Sequence, residues 1–221
     1  MFRYRSLLNL LLIICFISYN LVEASPSGAS IRPLSEQKEQ VIQLFKQKKY
    51  AKACKQLEVV MPLLTRKLDR LEMQFLQAYC KFYIKQYEES SNLFHNFVEQ
   101  NPAALKREEA VFMRGYSLSF KEMDVHLDQT VTHTAIDYLE AYIADYPSGC
   151  YLDKAMQALQ TLQERLMKKS LHVAHIYFRL GLYRAAMVVL ENFKRTYPAS
   201  FLAEAVDRLW LESKQKLAKT A

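Results

Sequence analysis

The chain has 221 residues, of which 51% are hydrophobic, and it carries a formal net charge of +7 with only four glycines. This length and composition are enough to bury a sizeable core, and they exclude a disordered or low-complexity chain. Few segments alternate apolar and polar residues with a period of two, which excludes a protein built mainly from strands. The scarcity of glycine suits long helices joined by short turns, so we predict an all-α fold.

The first 24 residues have the three parts of a secretory signal peptide. Arg3 and Arg5 supply a positive start, residues 7–17 are apolar except for one asparagine, and Val22 and Ala24 are small residues suited to a cleavage site. These eleven residues are too few to span a bilayer, which takes about 20. We therefore predict an exported protein whose signal peptide, residues 1–24, is removed after Ala24.

Cys15 gives the same segment an alternative interpretation, because bacterial lipoproteins carry their lipid on a cysteine at this depth. A small residue normally precedes such a cysteine, whereas Ile14 is bulky. Lipidation at Cys15 and cleavage after Ala24 both stay open, and they predict a lipid-anchored or a peripheral membrane protein. Without residues 1–24 the net charge is +6, which in an exported protein argues against nucleic acid and for anionic lipid headgroups or acidic protein surfaces.

The first helical pair is expected to follow a linker. Residues 25–34 are rich in Ser, Pro and Gly without periodicity, and Ser35 is the expected N-cap of a helix that ends near Lys48. Tyr50 is expected to open the second helix, which ends near Pro62. Its packing face would consist of Ala53, Leu57 and Val60.

Three later segments end on a proline that follows Asn or Tyr, and the same spacing precedes each proline. A small residue lies twelve positions before the proline, and large apolar residues lie eight and five positions before it. These residues are Ser90, Phe94 and Phe97 before Pro102, Ala135, Leu139 and Tyr142 before Pro147, and Ala186, Leu190 and Phe193 before Pro198. This pattern describes the second helix of a tetratricopeptide repeat (TPR) unit.

The remaining helices are separated by prolines and turn residues. We expect two helices over 67–84 and 87 to about 101, a third that begins near 105, and a fourth over about 131–145. One long helix is expected over 151–180, followed by helices over 183–196 and about 201–218. The third unit exceeds a 34-residue repeat by eight residues, which predicts a polar insertion near 121–129. Gly115 lies where two helices would approach closely, and Gly181 would make the turn after the long helix. We predict a TPR-like solenoid domain over 35–218, with about four helix pairs and a C-terminal capping helix.

Few residues in this sequence point to chemistry. Asp124, His126, Asp128 and His133 are suitable metal ligands, but their spacing matches no compact motif, and a solvated loop is the preferred interpretation. No catalytic or phosphate-binding motif occurs. We therefore predict no enzyme activity, no metal site and no cofactor.

Cysteines and aromatic residues leave two further alternatives open. Cys54 and Cys80 fall on successive predicted helices, so a bridge between them is conceivable, although burial as small hydrophobic side chains is preferred. Tyr83, Tyr138 and Trp210 lie outside the tracked repeat positions. They could be exposed anchors for a peptide, although packing is the preferred interpretation for each.

Three stretches of the chain resemble a known family. They are EEAVFMRGYSLS at 108–119, LDQTVTHTAIDYLEAYIADYPSG at 127–149 and IYFRLGLYRAAMVVLENFKRTYPAS at 176–200. With the export signal and the four helical units, they resemble the BamD family, the outer-membrane lipoprotein component of the β-barrel assembly machinery. The similarity covers about 35–218. The insertion and the long helix after it distinguish this family from ordinary TPR arrays.

The resemblance implies a non-catalytic scaffold on the periplasmic face of the outer membrane. It would bind the barrel-forming insertase, other subunits of the machinery, and unfolded outer-membrane proteins in the concave surface of units one and two. An arginine just before the last Tyr-Pro pair contacts the insertase in that family, and the matching partner-binding residues here are Arg195 and Tyr197. The chain departs from the family at Ile14 and in its single C-terminal helix. The alternative is another periplasmic TPR adaptor, one that coordinates cell-envelope synthesis.

Overall fold

The structure, a computed structural model, describes residues 32–121 and 128–220. These residues form nine α-helices and one short 3₁₀ helix, and the described part of the chain contains no strand. The helices are α1 (Leu34–Lys46), α2 (Tyr50–Val60), the 3₁₀ helix (Met61–Leu63), α3 (Lys67–Tyr83), α4 (Tyr87–Gln100), α5 (Arg107–Ser119), α6 (Thr130–Asp145), α7 (Leu152–Arg179), α8 (Tyr183–Thr196) and α9 (Ala203–Thr220). The predicted all-α fold is confirmed.

The helices stack as four pairs followed by a single helix. Each helix packs against the next one along the chain, and α7 also contacts α5 and α9. Contacts between the first helices of neighbouring pairs are typical of a TPR solenoid, in which each unit buries its apolar face on the next. The long helix expected over 151–180 is confirmed as α7, which runs unbroken for 28 residues.

Three apolar cores fill the solenoid. The N-terminal core lies between α1, α2 and α3, the central core extends from α3 to the first half of α7, and the C-terminal core joins the second half of α7 to α8 and α9. All nine repeat positions tracked before the three prolines are buried. Since the buried apolar residues run from Val41 to Leu209, a chain that starts at Ser25 keeps every core.

Two details at helix ends differ from expectation. Ser35 is not the N-cap of α1, because the helix begins one residue earlier, after Pro33. The Pro33 carbonyl accepts a hydrogen bond from the Gln37 N–H, and the Gln37 side chain donates to the Arg32 carbonyl at 2.7 Å. Pro62, which comes early for the repeat, lies in the 3₁₀ helix that extends the end of α2.

The first, second and fourth pairs share one kind of turn between their helices. In each turn an N–H donates to a carbonyl five residues back at 2.9 Å, which is the Schellman pattern: Lys49 to Leu44, Gln86 to Lys81 and Leu182 to Tyr177. The residue before each donor has a positive φ, at 59° for Lys48, 65° for Lys85 and 75° for Gly181. Glycine adopts this conformation freely, whereas other residues are strained in it by about 1–2 kcal/mol.

A partly buried hydrogen-bond network fixes the turn between α6 and α7. Glu108 Oε1 on α5 accepts from the Tyr142 hydroxyl at 3.0 Å and from the Cys150 N–H at 2.7 Å, and the Tyr142 hydroxyl accepts from the Tyr151 N–H at 3.1 Å. Burial raises the pKa of Tyr142 to about 12. A Cβ atom at Gly149 would lie 2.7 Å from Glu108 Oε1. The turn therefore accepts no side chain at Gly149, and α5 holds the start of α7 in place.

We expect Tyr142→Phe to lower the free energy of unfolding by about 1–3 kcal/mol, because it leaves the Tyr151 N–H without an acceptor and removes one donor to Glu108. Tyr146→Phe is the matched control, since the Tyr146 hydroxyl makes no hydrogen bond with the described residues. Urea unfolding of the two variants measures the difference. An equal loss of stability in both would contradict a role for the network.

Candidate partner-binding surfaces

Arg195 lies in the last turn of α8, where a positive side chain interacts favourably with the helix dipole. Its side chain is exposed, and its Nη2 donates to Asn192 Oδ1 at 3.1 Å. Within the described residues it forms no ion pair. Arg195 therefore pairs with no carboxylate inside the described part of the chain, and most of its guanidinium donors are free to bind one from outside.

Tyr197 follows the end of α8 and is half-buried on the C-terminal core. Its ring lies 5.2 Å from the ring of Phe193, and burial raises the pKa of its hydroxyl. One side of Tyr197 lines a cleft of about 360 Å³ with both polar and apolar walls, which include Asp128, His133 and Val173. Arg195 and Tyr197 thus differ in environment: the arginine is exposed to solvent, while the tyrosine packs beneath it and supports the end of the helix.

Trp210 on α9 lies beside the end of α8, among charged side chains. Its Nε1 donates to Glu191 Oε1 at 3.0 Å, and the ammonium groups of Lys194 and Lys214 lie 5.1 and 5.2 Å from its ring. Lys194 also forms an ion pair with Asp207. Cations over an indole ring are attracted by its negative face. These contacts hold α9 against α8, so Trp210 is a packing residue at the rim of the surface.

The first two units carry an aromatic cluster at their shared edge. Tyr83 is 46% exposed, and its ring stacks on Tyr50 with centroids 4.2 Å apart and on Tyr79 at 6.1 Å. The Tyr79 hydroxyl donates to the carboxylate of Glu109, and burial raises the pKa of Tyr79. Tyr83 is therefore an exposed aromatic ring held in one orientation by its neighbours. Tyr138, by contrast, is half-buried beneath the guanidinium group of Arg114, 4.0 Å from its ring.

A second cleft, of about 420 Å³, lies between the end of α5 and the first half of α7. Arg165 donates from Nη1 and Nη2 to the carbonyls of Lys121 at 3.0 Å and Ser119 at 3.4 Å, which satisfies carbonyls at the end of α5. No local pattern in the sequence indicates this cleft, because its walls come from residues about 40 positions apart. Its lining includes Tyr116, Phe120, Lys154, Gln157, Thr161 and Arg165.

Only part of the candidate metal cluster lies in the described structure. Asp124 and His126 lie outside the described residues. Asp128 accepts hydrogen bonds from the N–H of Thr130 at 3.2 Å and from its hydroxyl at 2.6 Å, and the hydroxyl bond is the main cause that lowers the pKa of Asp128. This carboxylate, one residue before the N-cap Gln129, therefore accepts from the first N–H of α6. Among the described residues no group of three or more His, Cys, Asp and Glu side chains could hold a metal ion.

The structure contains Cys54 and Cys80 as free, buried thiols and Cys150 as a free, exposed one. Cys54 and Cys80 both belong to the N-terminal core. Burial raises the pKa of Cys54, and it raises the pKa of Cys80 to about 12. Because the thiolate is the reactive form, the two buried thiols are inert at neutral pH, as expected of small packing side chains.

We expect the chain that begins at Ser25 to show one fast thiol at neutral pH. Maleimide should modify Cys150 at least about 100-fold faster than Cys54 and Cys80, because the buried thiols are protonated and shielded from solvent. Peptide mapping by mass spectrometry measures the three rates. All three cysteines should react in denaturant without reductant. A Cys54–Cys80 pair that stays unmodified there would show a disulfide and contradict the free thiols.

The stacked helix pairs, the Schellman turns and the capping helix define a TPR-type scaffold. The family of outer membrane lipoproteins called YfiO matches residues 33–221, nearly the whole chain. The chain belongs to this family. That membership confirms the resemblance drawn from the sequence, and with it the location at the periplasmic face of the outer membrane.

Individual relatives are more distant. The outer membrane protein assembly factor BamD of Rickettsia prowazekii (strain Madrid E) is 24% identical over 211 residues, which cover 94% of this chain and 83% of that protein. Among solved structures, nearly identical TPR-like repeats of a Podosopora anserina kinesin light chain share 17% identity at a TM-score of 0.43, over 85% of this chain and 96% of that chain. A second structure of those repeats has 15% identity and a TM-score of 0.39, over 84% and 87% of the two chains.

None of the helices in the described ranges combines the length and the apolar character needed to cross a membrane. Cys15 and the predicted cleavage site after Ala24 lie outside the described residues.

Proposed function

We propose that this protein is a non-catalytic assembly factor for outer-membrane β-barrel proteins. It binds the barrel-forming insertase and other subunits of the assembly machinery through the end of α8, and unfolded client proteins along its first two units. The observation that carries the proposal is the similarity to an outer membrane protein assembly factor over 94% of the chain. A solenoid without catalytic motifs suits this role, because its long surfaces bind several chains at once.

The insertase contact is assigned to Arg195 on physical grounds as well as by resemblance. The guanidinium group is exposed, its contact is with a neutral amide, and it can bind a carboxylate through two parallel hydrogen bonds. Tyr197 packs on Phe193 below it, and Lys194 is held by Asp207 and Trp210. The last turn of α8 is therefore a rigid base that presents Arg195 to a partner.

The client surface is assigned to the edge where Tyr83 is exposed. An unfolded β-barrel segment alternates apolar and polar side chains, and a fixed aromatic ring offers an anchor for the apolar ones. Tyr83 is held by stacking on Tyr50 and Tyr79, so little side-chain entropy would be lost when a client binds.

We expect Arg195→Glu to reduce co-purification of the insertase at least about tenfold, because the new carboxylate repels the acidic group that Arg195 binds, and tenfold corresponds to about 1.4 kcal/mol. Arg184→Glu makes the same charge change at an exposed site on the same helix and should leave recovery unchanged. Quantitative immunoblotting of the captured insertase compares the two. Equal recovery with both variants would remove Arg195 from the partner surface.

A photo-crosslinking amino acid at position 83 should trap an unfolded outer-membrane protein, whereas the same group at Glu99, exposed on α4, should not. The reason is that a bound client covers the exposed ring of Tyr83 and leaves the exposed face of α4 uncovered. Crosslinks identified by mass spectrometry decide the point. Equal yields at the two positions would mean that clients touch the chain without preference.

A further inference from the structure

Six lysines cluster on one edge of the first two units. Residues 40–57 contain no aspartate or glutamate, and the lysines of this stretch are all exposed. Lys85, in the turn of the second pair, is exposed as well. We call this group the lysine edge. It consists of Lys46, Lys48, Lys49, Lys52, Lys55 and Lys85.

Packing brings the two lysine-bearing turns side by side. Both turns join the first helix of a pair to the second, so they lie at the same edge of the solenoid. The rings of Tyr50 and Tyr83 stack at 4.2 Å, and Phe45 contacts both, at 5.4 and 6.1 Å. Because Tyr50 opens α2 and Tyr83 ends α3, these rings fix the first turn beside the second. The charges therefore form one surface.

Three acidic groups near this edge are engaged elsewhere, and a fourth, Glu58, is exposed on α2 one turn after Lys55 and acts on Lys81. Glu89 pairs with Lys81 at 2.7 Å, and Glu88 pairs with Lys121 at 2.6 Å. Glu39 accepts a hydrogen bond from the side chain of Gln43. Within the described residues, none of the six lysines of the lysine edge forms an ion pair. The six lysines outnumber the nearby exposed carboxylate of Glu58, so the surface is strongly positive.

We propose that the lysine edge binds the anionic phospholipid headgroups of the membrane beside which this protein works. A member of a family of outer membrane lipoproteins works beside such headgroups. Lysine is a mobile point charge that suits scattered phosphates, whereas recognition of a protein carboxylate favours the planar fork of arginine. The lysine edge lies on two turns and the first half of α2 and not in a groove, so it fits an extended charged surface.

The chain in front of α1 is long enough to allow this contact. The lysine edge lies at the end of α1 opposite to Leu34, and the 13 residues of α1 extend for about 20 Å. A lipid on Cys15 would be joined to Leu34 by a segment that can extend to at most about 65 Å. An anchored protein can therefore turn its lysine edge toward the same membrane, and an unanchored one would depend on the lysine edge to stay there.

The test uses the chain that begins at Ser25, which lacks the signal segment and keeps all three cores, so that binding reports the folded surface. Sedimentation measures its affinity for vesicles of phosphatidylcholine alone or mixed with phosphatidylglycerol. We expect binding to the anionic vesicles that weakens as salt is added. The triple variant Lys48→Gln, Lys49→Gln and Lys52→Gln should bind about 100-fold more weakly, at about fivefold per lysine.

A control with the same change in net charge separates local from overall electrostatics. Arg66→Gln, Lys67→Gln and Lys219→Gln remove three positive charges from exposed sites away from the lysine edge, and affinity should stay within about threefold of the parent chain. Equal losses in the two triple variants, or equal binding to neutral and anionic vesicles, would overturn the proposal. Binding of polyglutamate, but not of anionic vesicles, through Lys48, Lys49 and Lys52 would also overturn it, because the lysine edge would then serve an acidic protein.

Discussion

The arrangement of the whole molecule depends on α7, because this one helix takes part in two cores. Ala155 and Leu162 in its first half are buried in the central core, and Ala174 in its second half is buried in the C-terminal core. A helix of 28 residues is about 42 Å long. Since it contains neither Pro nor Gly, nothing in it provides a hinge, and the surface at Arg195 is held at a fixed distance from the third unit.

The orientation of α7 also requires that its first residues be fixed, and the carboxylate of Glu108 fixes them. Glu108 on α5 binds the turn before α7 through the Tyr142 hydroxyl and the Cys150 N–H. Polar networks strengthen a structure most when their members are paired, and here the tyrosine hydroxyl both donates and accepts. Tyr142 also occupies one of the repeat positions of the second helix. The same side chain therefore closes the third unit and aligns the helix of the fourth.

The helices could be predicted from the sequence because their signals are local. Apolar residues at helical spacing and a proline after each second helix predicted α4, α6 and α8, and the absence of Pro and Gly predicted α7. The contacts that shape the surfaces could not be predicted in this way. Glu108 and Tyr142 are 34 positions apart, and Trp210 is 19 positions from its acceptor Glu191. Such pairs become neighbours only through stacking of the units. The assignment of Arg195 as a partner-binding residue came from the family resemblance, and the structure shows that its side chain is exposed.

The turns of the solenoid also indicate that its basic edge has a role outside folding. All three Schellman turns need a residue with a positive φ, and the fourth pair uses Gly181, which adopts it without strain. The first two pairs have Lys48 and Lys85 there, each at a cost of about 1–2 kcal/mol relative to glycine. Neither side chain forms a hydrogen bond, an ion pair or a ring contact with another described residue, so no such interaction offsets the cost. Two charged residues with a positive φ at the same edge are therefore consistent with the proposed contact with lipid headgroups.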